Sequence, residues 1–288
     1  MNGGEDPYDG WAWLYDRTMG PAYCREQIAV LERVLLPEVE VGAHLFDLCC
    51  GTGQLVQPLV DAGYLVTGLD GSEQMLARAR VNAPTSDFIL GDARSYSAAE
   101  SFDAAFSTSA SLNHLSPLED LRVVFQNVFR SLRSGSLFVF DLNHHGQMKK
   151  WWRGRSLEGE ISDGCAWSVT PSYDPDRREG AFRVNLFCRP ADRAPGLFDR
   201  LKSAGYRILS RERFIGIRLK LIERFHLAEP GWNHRQLDFP VVSHELDEVR
   251  AAVLSAGFSK VEVQTLTGNP VIDDDHSAYF ICWKGEGA

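Results

Sequence analysis

No stretch of this 288-residue chain reaches the roughly 18 consecutive apolar residues of a membrane-spanning helix, so nothing in its hydropathy pattern points to a bilayer. Basic runs are equally scarce. No Lys/Arg run is longer than the pair Lys149-Lys150, and 30 Lys+Arg stand against 39 Asp+Glu, a net charge of −9. A chain of that sign repels polyanions, which argues against a nucleic-acid partner. Six cysteines (24, 49, 50, 165, 188 and 282) form no C-x-x-C pair. That spacing excludes the common zinc and thiol-redox motifs and predicts small buried thiols in a reducing compartment. The opening MNGGEDPYDGW has no basic-then-apolar pattern, and with the cysteine usage it predicts a cytoplasmic protein.

What the chain does have is concentrated between His44 and Arg80, HLFDLCCGTGQLVQPLVDAGYLVTGLDGSEQMLARAR. His44–Cys49 is a short apolar run suited to a buried parallel strand. Gly51 and Gly53 permit a tight turn and a close approach of backbone to ligand. The spacing of Gln54–Ala62 predicts a helix stopped at Gly63, and Tyr64–Leu69 predicts a second strand. Asp70 ends that strand, 19 residues after Gly51, where a carboxylate can accept both hydroxyls of a ribose. Val56 stands where a dinucleotide fingerprint needs glycine or alanine, and no G-K-S/T follows, so neither a dinucleotide turn nor a P-loop fits. The pattern implies a pocket for a nucleoside that lacks a phosphate.

Three segments, D-L-C-C-G-T-G-Q, G-L-D-G-S-E-Q-M-L and G-D-A-R, resemble the class I S-adenosylmethionine (SAM) dependent methyltransferases. The resemblance implies that Asp47, Cys49, Cys50, Gly51 and Gly53 face the methionine end of SAM and that Asp70 takes the ribose. It further implies Met75 against the adenine, Asp92 accepting from the adenine amino group, and Ala93 and Arg94 at the ring edge. Gly71, Ser107 and Tyr8 complete the expected cofactor shell. Cys49 stands where relatives more often have glycine or alanine, which predicts a slightly narrower methionine pocket.

Along the rest of the chain, Tyr8–Leu36 reads as a helix broken at Gly20-Pro21, and Y-D-G-W-A-W-L-Y-D-R-T-M resembles the helical lid of small-molecule members of that family. Ser72 is an expected N-cap for a helix reaching about Val81. Asp87–Leu90, Phe102–Ser107 and Ser136–Leu142 read as strands, with an amphipathic helix Leu118–Leu132 closed by Ser134-Gly135. The alternation predicts an α/β fold, a doubly wound and mostly parallel sheet with helices on both faces. The capped helix Ser243–Ala256 and strands Phe258–Leu266 and Ser277–Lys284 resemble the antiparallel ending that completes the seven-stranded, Rossmann-like sheet of this family. The alternation lapses over 144–242, 99 residues too long for a structureless loop. Cys165–Thr170, Ala181–Cys188 and Leu221–Ala228 read there as β-like, and Leu197–Ala204 as a short helix. The expected organisation is a helical lid (1–42), a SAM-binding core (43–143 and 243–288) and a β-rich substrate cap (144–242). Ala-Gly-aromatic steps at 62–64, 204–206 and 256–258 each read as a helix stop.

The acceptor side is expected after the fourth strand, in F-S-T-S-A-S-L-N-H-L, at the carboxyl end of a central strand. S-L-N-H-L resembles segments of small-molecule N-methyltransferases, amino-sugar enzymes included, and there His114 matches a histidine beside the accepting amine. An imidazole suits a general base at neutral pH. Tyr15 matches a lid tyrosine that contacts the acceptor. Tyr8, seven residues earlier, is expected on the same helical face, with Tyr23 a further candidate. His144-His145 lacks a third ligand at a metal-binding spacing, and Asp273-Asp274-Asp275-His276 reads as a solvated turn, so no metal is expected. The reading is methyl transfer from SAM to a small amine or hydroxyl. Its rivals are a SAM-fold regulatory protein without turnover and a tRNA or other nucleic-acid methyltransferase. Monomer and homodimer both stay open.

Overall fold

A computed structural model describes residues 8, 10–162, 164–190 and 196–287. They fall into two compact units, 1–147 with 242–288, and 148–241. The first unit begins with helices α1 (Ala12–Arg17) and α2 (Met19–Val34). There follow β1 (His44–Leu48), α3 (Val56–Asp61), β2 (Leu65–Asp70), α4 (Glu73–Asn82), β3 (Asp87–Leu90), β4 (Phe102–Ser107), α5 (Leu118–Ser131), β5 (Leu132–Leu142) and the first residues of α6 (His145–Trp151), which continues into the second unit at Met148. The second unit holds β6 (Glu158–Ser162), β7 (Cys165–Asp174), β8 (Glu179–Cys188), α7 (Leu197–Leu209), α8 (Ile215–Glu223), α9 (Phe225–Ala228) and β9 (Asn233–Val242). The chain returns to the first unit as α10 (Leu246–Ser255), β10 (Lys260–Thr265) and β11 (Ala278–Trp283).

The seven-stranded sheet has the order β10-β11-β5-β4-β1-β2-β3. Strands β1 to β5 pair in parallel, and β11 runs antiparallel to both β5 and β10. The doubly wound, mostly parallel sheet read from the sequence is therefore the fold. Side chains alternate between two apolar layers. Phe46, Phe138 and Phe140 join Phe125 of α5 and Val253 of α10 on one face, while Leu45, Leu137 and Val139 join Leu31 of α2 and Leu59 of α3 on the other. Phe140 and Phe280 stack across the β5–β11 pair with centroids 4.8 Å apart. Strand order reverses between β1 and β4, which opens a crevice at their carboxyl ends.

Several local expectations are corrected. The N-terminal helix breaks at Thr18, and Gly20-Pro21 lies in the first turn of α2, where a missing N–H has no intrahelical partner to lose. α5 ends at Ser131, and Ser134-Gly135 sits inside β5, opposite a register shift in β4. The N-cap of α10 is Glu245, without a side-chain cap, in place of Ser243. Gly63 and Gly257 do end helices with φ of 96° and 117°, but Gly205 lies within α7.

The second unit is a four-stranded antiparallel sheet, β6-β7-β8-β9, carrying helices α7 to α9. Strands β6 and β9 had no clear sequence signal. Leu221–Ala228 is helical, contrary to its β-like reading, because burial there follows Arg218, Ile222 and Phe225, a helical stripe. A cation in that stripe hid its periodicity. Arg218 is buried because its guanidinium donates to the carbonyls of Gly159 at 2.7 Å and Leu209 at 2.8 Å.

Candidate active site

The turn after β1 is built from left-handed residues, Cys49 (φ 64°), Gly51 (φ 54°) and Gly53 (φ 67°). A Cβ on Gly53 would lie 3.0 Å from Cβ of Ala79, so contact and conformation both demand glycine there. A Cβ on Gly51 would meet nothing within 4 Å, which leaves its face open to a ligand. Cys49 adopts the same conformation with a side chain, at a cost of about 1–2 kcal/mol. Burial, then the charges of Asp70 and Asp47, push its thiol far up.

Asp70 sits at the tip of β2. Its Oδ2 accepts the Gly51 N–H at 2.8 Å and its Oδ1 the Ser72 N–H at 2.9 Å, joining the two loops. A carboxylate has about four acceptor sites, so holding two amides is compatible with also receiving ribose hydroxyls. Ser72 caps α4 as expected, its Oγ accepting from Met75 N at 3.2 Å. Asp47, buried in β1, has its carboxyl pushed well above the usual range by burial and then by Asp70.

A cavity of about 50 Å³ opens beside this turn. Tyr15, Tyr23, Cys24 and Gln27 of α1 and α2 form one wall, Asp47 and Cys49–Thr52 a second, and Thr108, Ser109 and Ser111 a third. Of the expected residues, Tyr15, Asp47, Cys49, Cys50 and Gly51 line it directly. Gly53, Asp70 and Gly71 belong to the adjoining turns, and Ser107 is buried at the end of β4. Met75 and Ala93 are buried, Ala93 within the core cluster. Both carboxylate oxygens of Asp92 accept from Arg94, with Nη2 at 2.6 Å. These bonds lower the Asp92 pKa, and Arg94 reaches on to Asp120 at 2.9 Å.

Sequence reasoning missed the clamp that holds the N-terminal helices here. Asp16 Oδ1 accepts from Gln54 Nε2 at 2.8 Å and from Asn82 Nδ2 at 2.6 Å, and Asn82 also donates to the Thr52 carbonyl at 2.8 Å. The signal was present as Asp16 in the Y-D step, directly after Tyr15.

The loop after β4 is strained, with Ser109 (φ 61°) and Ala110 (φ 55°) consecutively left-handed. Asp141 of β5 holds it by accepting the Ala110 N–H at 2.9 Å. Fully buried Asn113 donates to the carbonyls of Asn143 and Val242 and accepts the Asn143 N–H at 2.8 Å. His114 is thereby fixed, and its Nε2 lies 2.7 Å from the Tyr8 hydroxyl. Tyr8 sits in the turn ahead of α1 and not on a shared helical face with Tyr15, because the helix starts only at Ala12. Tyr15 instead packs edge-on against Trp11 and lies 6.3 Å from the Tyr23 ring.

Among the described residues no group of three His, Cys, Asp or Glu is placed to hold a metal. His144 Nε2 faces the carbonyls of Asp273 and His276, and His276 Nδ1 pairs with Asp273. No helix among them is long and apolar enough to cross a membrane.

Comparison with known proteins agrees with this geometry. The methyltransferase-domain family matches residues 45–135, from β1 into β5. A Geobacillus sp. (strain WCH70) protein named as a methyltransferase is 31% identical over 193 residues, covering 64% of this chain and 76% of its own length. A dTDP-3-amino-3,6-dideoxy-alpha-D-glucopyranose N,N-dimethyltransferase of Streptomyces fradiae is 27% identical over 214 residues, covering 70% and 79%. The crystal structure of a SAM-dependent methyltransferase from Clostridium acetobutylicum shares the fold with a TM-score of 0.66 at 14% identity, covering 97% of this chain and all of that one. The chain belongs to the class I SAM-dependent methyltransferases, and SAM is its cofactor. The residues present fit that group: the open face of Gly51, the buried carboxylate of Asp47 for a cationic ligand, and Thr52 Oγ1, buried without a protein partner.

Proposed function

We propose that this enzyme methylates the amine of a small-molecule acceptor, with His114 receiving the proton that the nitrogen must lose. The observation that carries this reading is the Tyr8–His114 hydrogen bond on a loop locked by Asn113 and Asp141, at the carboxyl end of a central strand. A positioned imidazole there is what an amine acceptor needs. The amino-sugar N,N-dimethyltransferase among the relatives supports the same class.

SAM supplies an already activated methyl on a sulfonium, so the protein's work is holding, aligning and drying. Asp47 and the Cys49–Gly53 turn would hold the methionine end, Asp70 with Gly71 the ribose, and Met75, Asp92, Ala93 and Arg94 the adenine side. Arg94 keeps Asp92 anionic and oriented toward its own loop, so the amide groups there share the adenine contact. Ser107 and Tyr8 border the reacting end. Tyr15 orients the acceptor, and α1 with α2 acts as a lid, tied down through Asp16.

A methyl-transfer screen with labelled SAM over amines, amino sugars, phenols and tRNA tests this. Label in amines or amino sugars supports the reading, and label confined to phenols or tRNA overturns it.

A further inference from the structure

Cys165 of β7 stands directly opposite Cys188 of β8 in the antiparallel ladder. The Arg189 N–H donates to the Gly164 carbonyl at 2.9 Å, which makes Gly164–Arg189 a hydrogen-bonded pair. The next pair along, Cys165–Cys188, is then a non-hydrogen-bonded one, with Cα atoms about 4.5 Å apart and side chains on one face. That separation falls within the range a disulfide spans without backbone movement. Cys165 is held in register from the other side as well, because it also pairs with Ser162 of β6.

The two thiols are unlike the others in the chain. Both are reduced in the structure, Cys165 buried and Cys188 half-buried. The interaction between the two thiols, with the nearby Arg235, draws the Cys188 thiol below its usual value, and the same interaction together with burial raises that of Cys165. Burial instead pushes Cys49, Cys50 and Cys282 up, away from reactivity.

We propose that Cys165 and Cys188 form a reversible dithiol–disulfide site, oxidised by low-molecular-weight disulfides of the glutathione type. The Cys188 thiolate attacks one sulfur of the small disulfide, whose S–S bond breaks and releases one thiolate. Cys165 then loses its proton and attacks the sulfur of Cys188 in the mixed disulfide, releasing the second small thiolate. Two protein thiols are oxidised to one cystine, and one small disulfide is reduced to two thiols that carry the two protons.

The full-length protein is incubated with oxidised glutathione at neutral pH, blocked with an alkylating agent, digested and mapped by mass. The tryptic peptides of Cys165 and Cys188 are expected joined, with a mass lower by two hydrogens, and separated again by dithiothreitol. Cys165→Ser should trap glutathione on Cys188, and Cys188→Ser should leave residue 165 unmodified. Without oxidant, Cys188 should alkylate roughly tenfold faster than Cys24. A wild-type protein in which 165 and 188 stay separate, whether or not Cys49 and Cys50 join, overturns the proposal. So does glutathione retained on Cys188 with no transfer to Cys165.

Discussion

The Tyr8 hydroxyl lies 2.7 Å from Nε2 of His114, with the two rings edge to face at 5.7 Å, although 106 residues separate them. The N-terminal segment thus touches the loop after β4 at His114, the residue proposed above to receive the proton. His114→Ala is expected to lower kcat by roughly 10²–10⁴-fold and leave SAM affinity nearly unchanged. Tyr8→Phe removes one hydrogen bond worth about 1 kcal/mol, so kcat should fall several-fold and its pH profile should shift. Full kcat in His114→Ala would reduce the pair to a latch between the N-terminal segment and the loop.

Asp70 joins the turn after β1 to the N-terminus of α4 through two amides. Asp70→Ala is expected to weaken SAM by about 1–3 kcal/mol, since it removes a charged acceptor. Asp70→Asn should weaken it less, because the amide oxygen can still take one N–H. Calorimetric titration separates these outcomes, and an unchanged affinity in the alanine variant places the ribose elsewhere.

Asp47 is pushed above the usual carboxylate range by burial and by Asp70, so in the free protein it holds its proton to higher pH than an exposed aspartate. A ligand bearing ammonium and sulfonium charge favours the ionised form. SAM affinity should therefore fall as pH drops through the raised pKa, by up to about tenfold per unit. Titration in two buffers of different ionisation heat should report proton release on binding. Asp47→Asn should abolish that release.

Asp141 is raised to about 6 by burial, against the opposing hydrogen bonds from Ala110 and Ser277. The native state therefore holds this proton more tightly than the unfolded chain, whose carboxyl titrates near 3.9. Stability is present in full below about pH 4, is lost as pH rises toward about 6, and stays reduced above it. Asp141→Asn keeps an acceptor for Ala110 without the charge. Urea unfolding should find it more stable than wild type by about 1–3 kcal/mol near pH 7, with little difference near pH 4. Parallel stability curves for the two proteins would contradict this account.

The central sheet was legible because buried parallel strands are written as short apolar runs. Phe102–Ser107 and Asp87–Leu90 fall where that signal places them. The insertion was less so. Cys165–Thr170 and Ala181–Cys188 read as β-like and are strands, but β6 and β9 are short of apolar alternation, and the helix at Ile215–Glu223 buries an arginine on its core stripe. A pattern that counts only apolar residues cannot see such a position.

The sequence by itself determined the class of fold, the glycine turn and the acid at the tip of β2, since each depends on neighbours within one βαβ unit. Tertiary structure alone decided that Tyr8 meets His114, that Asp16 ties the first helix to Gln54 and Asn82, and that Asp141 props the loop at Ala110. The physical reason is range. Periodicity and turn chemistry act over a few residues of chain, whereas a polar pair between distant segments exists only once the core has packed and excluded water around it.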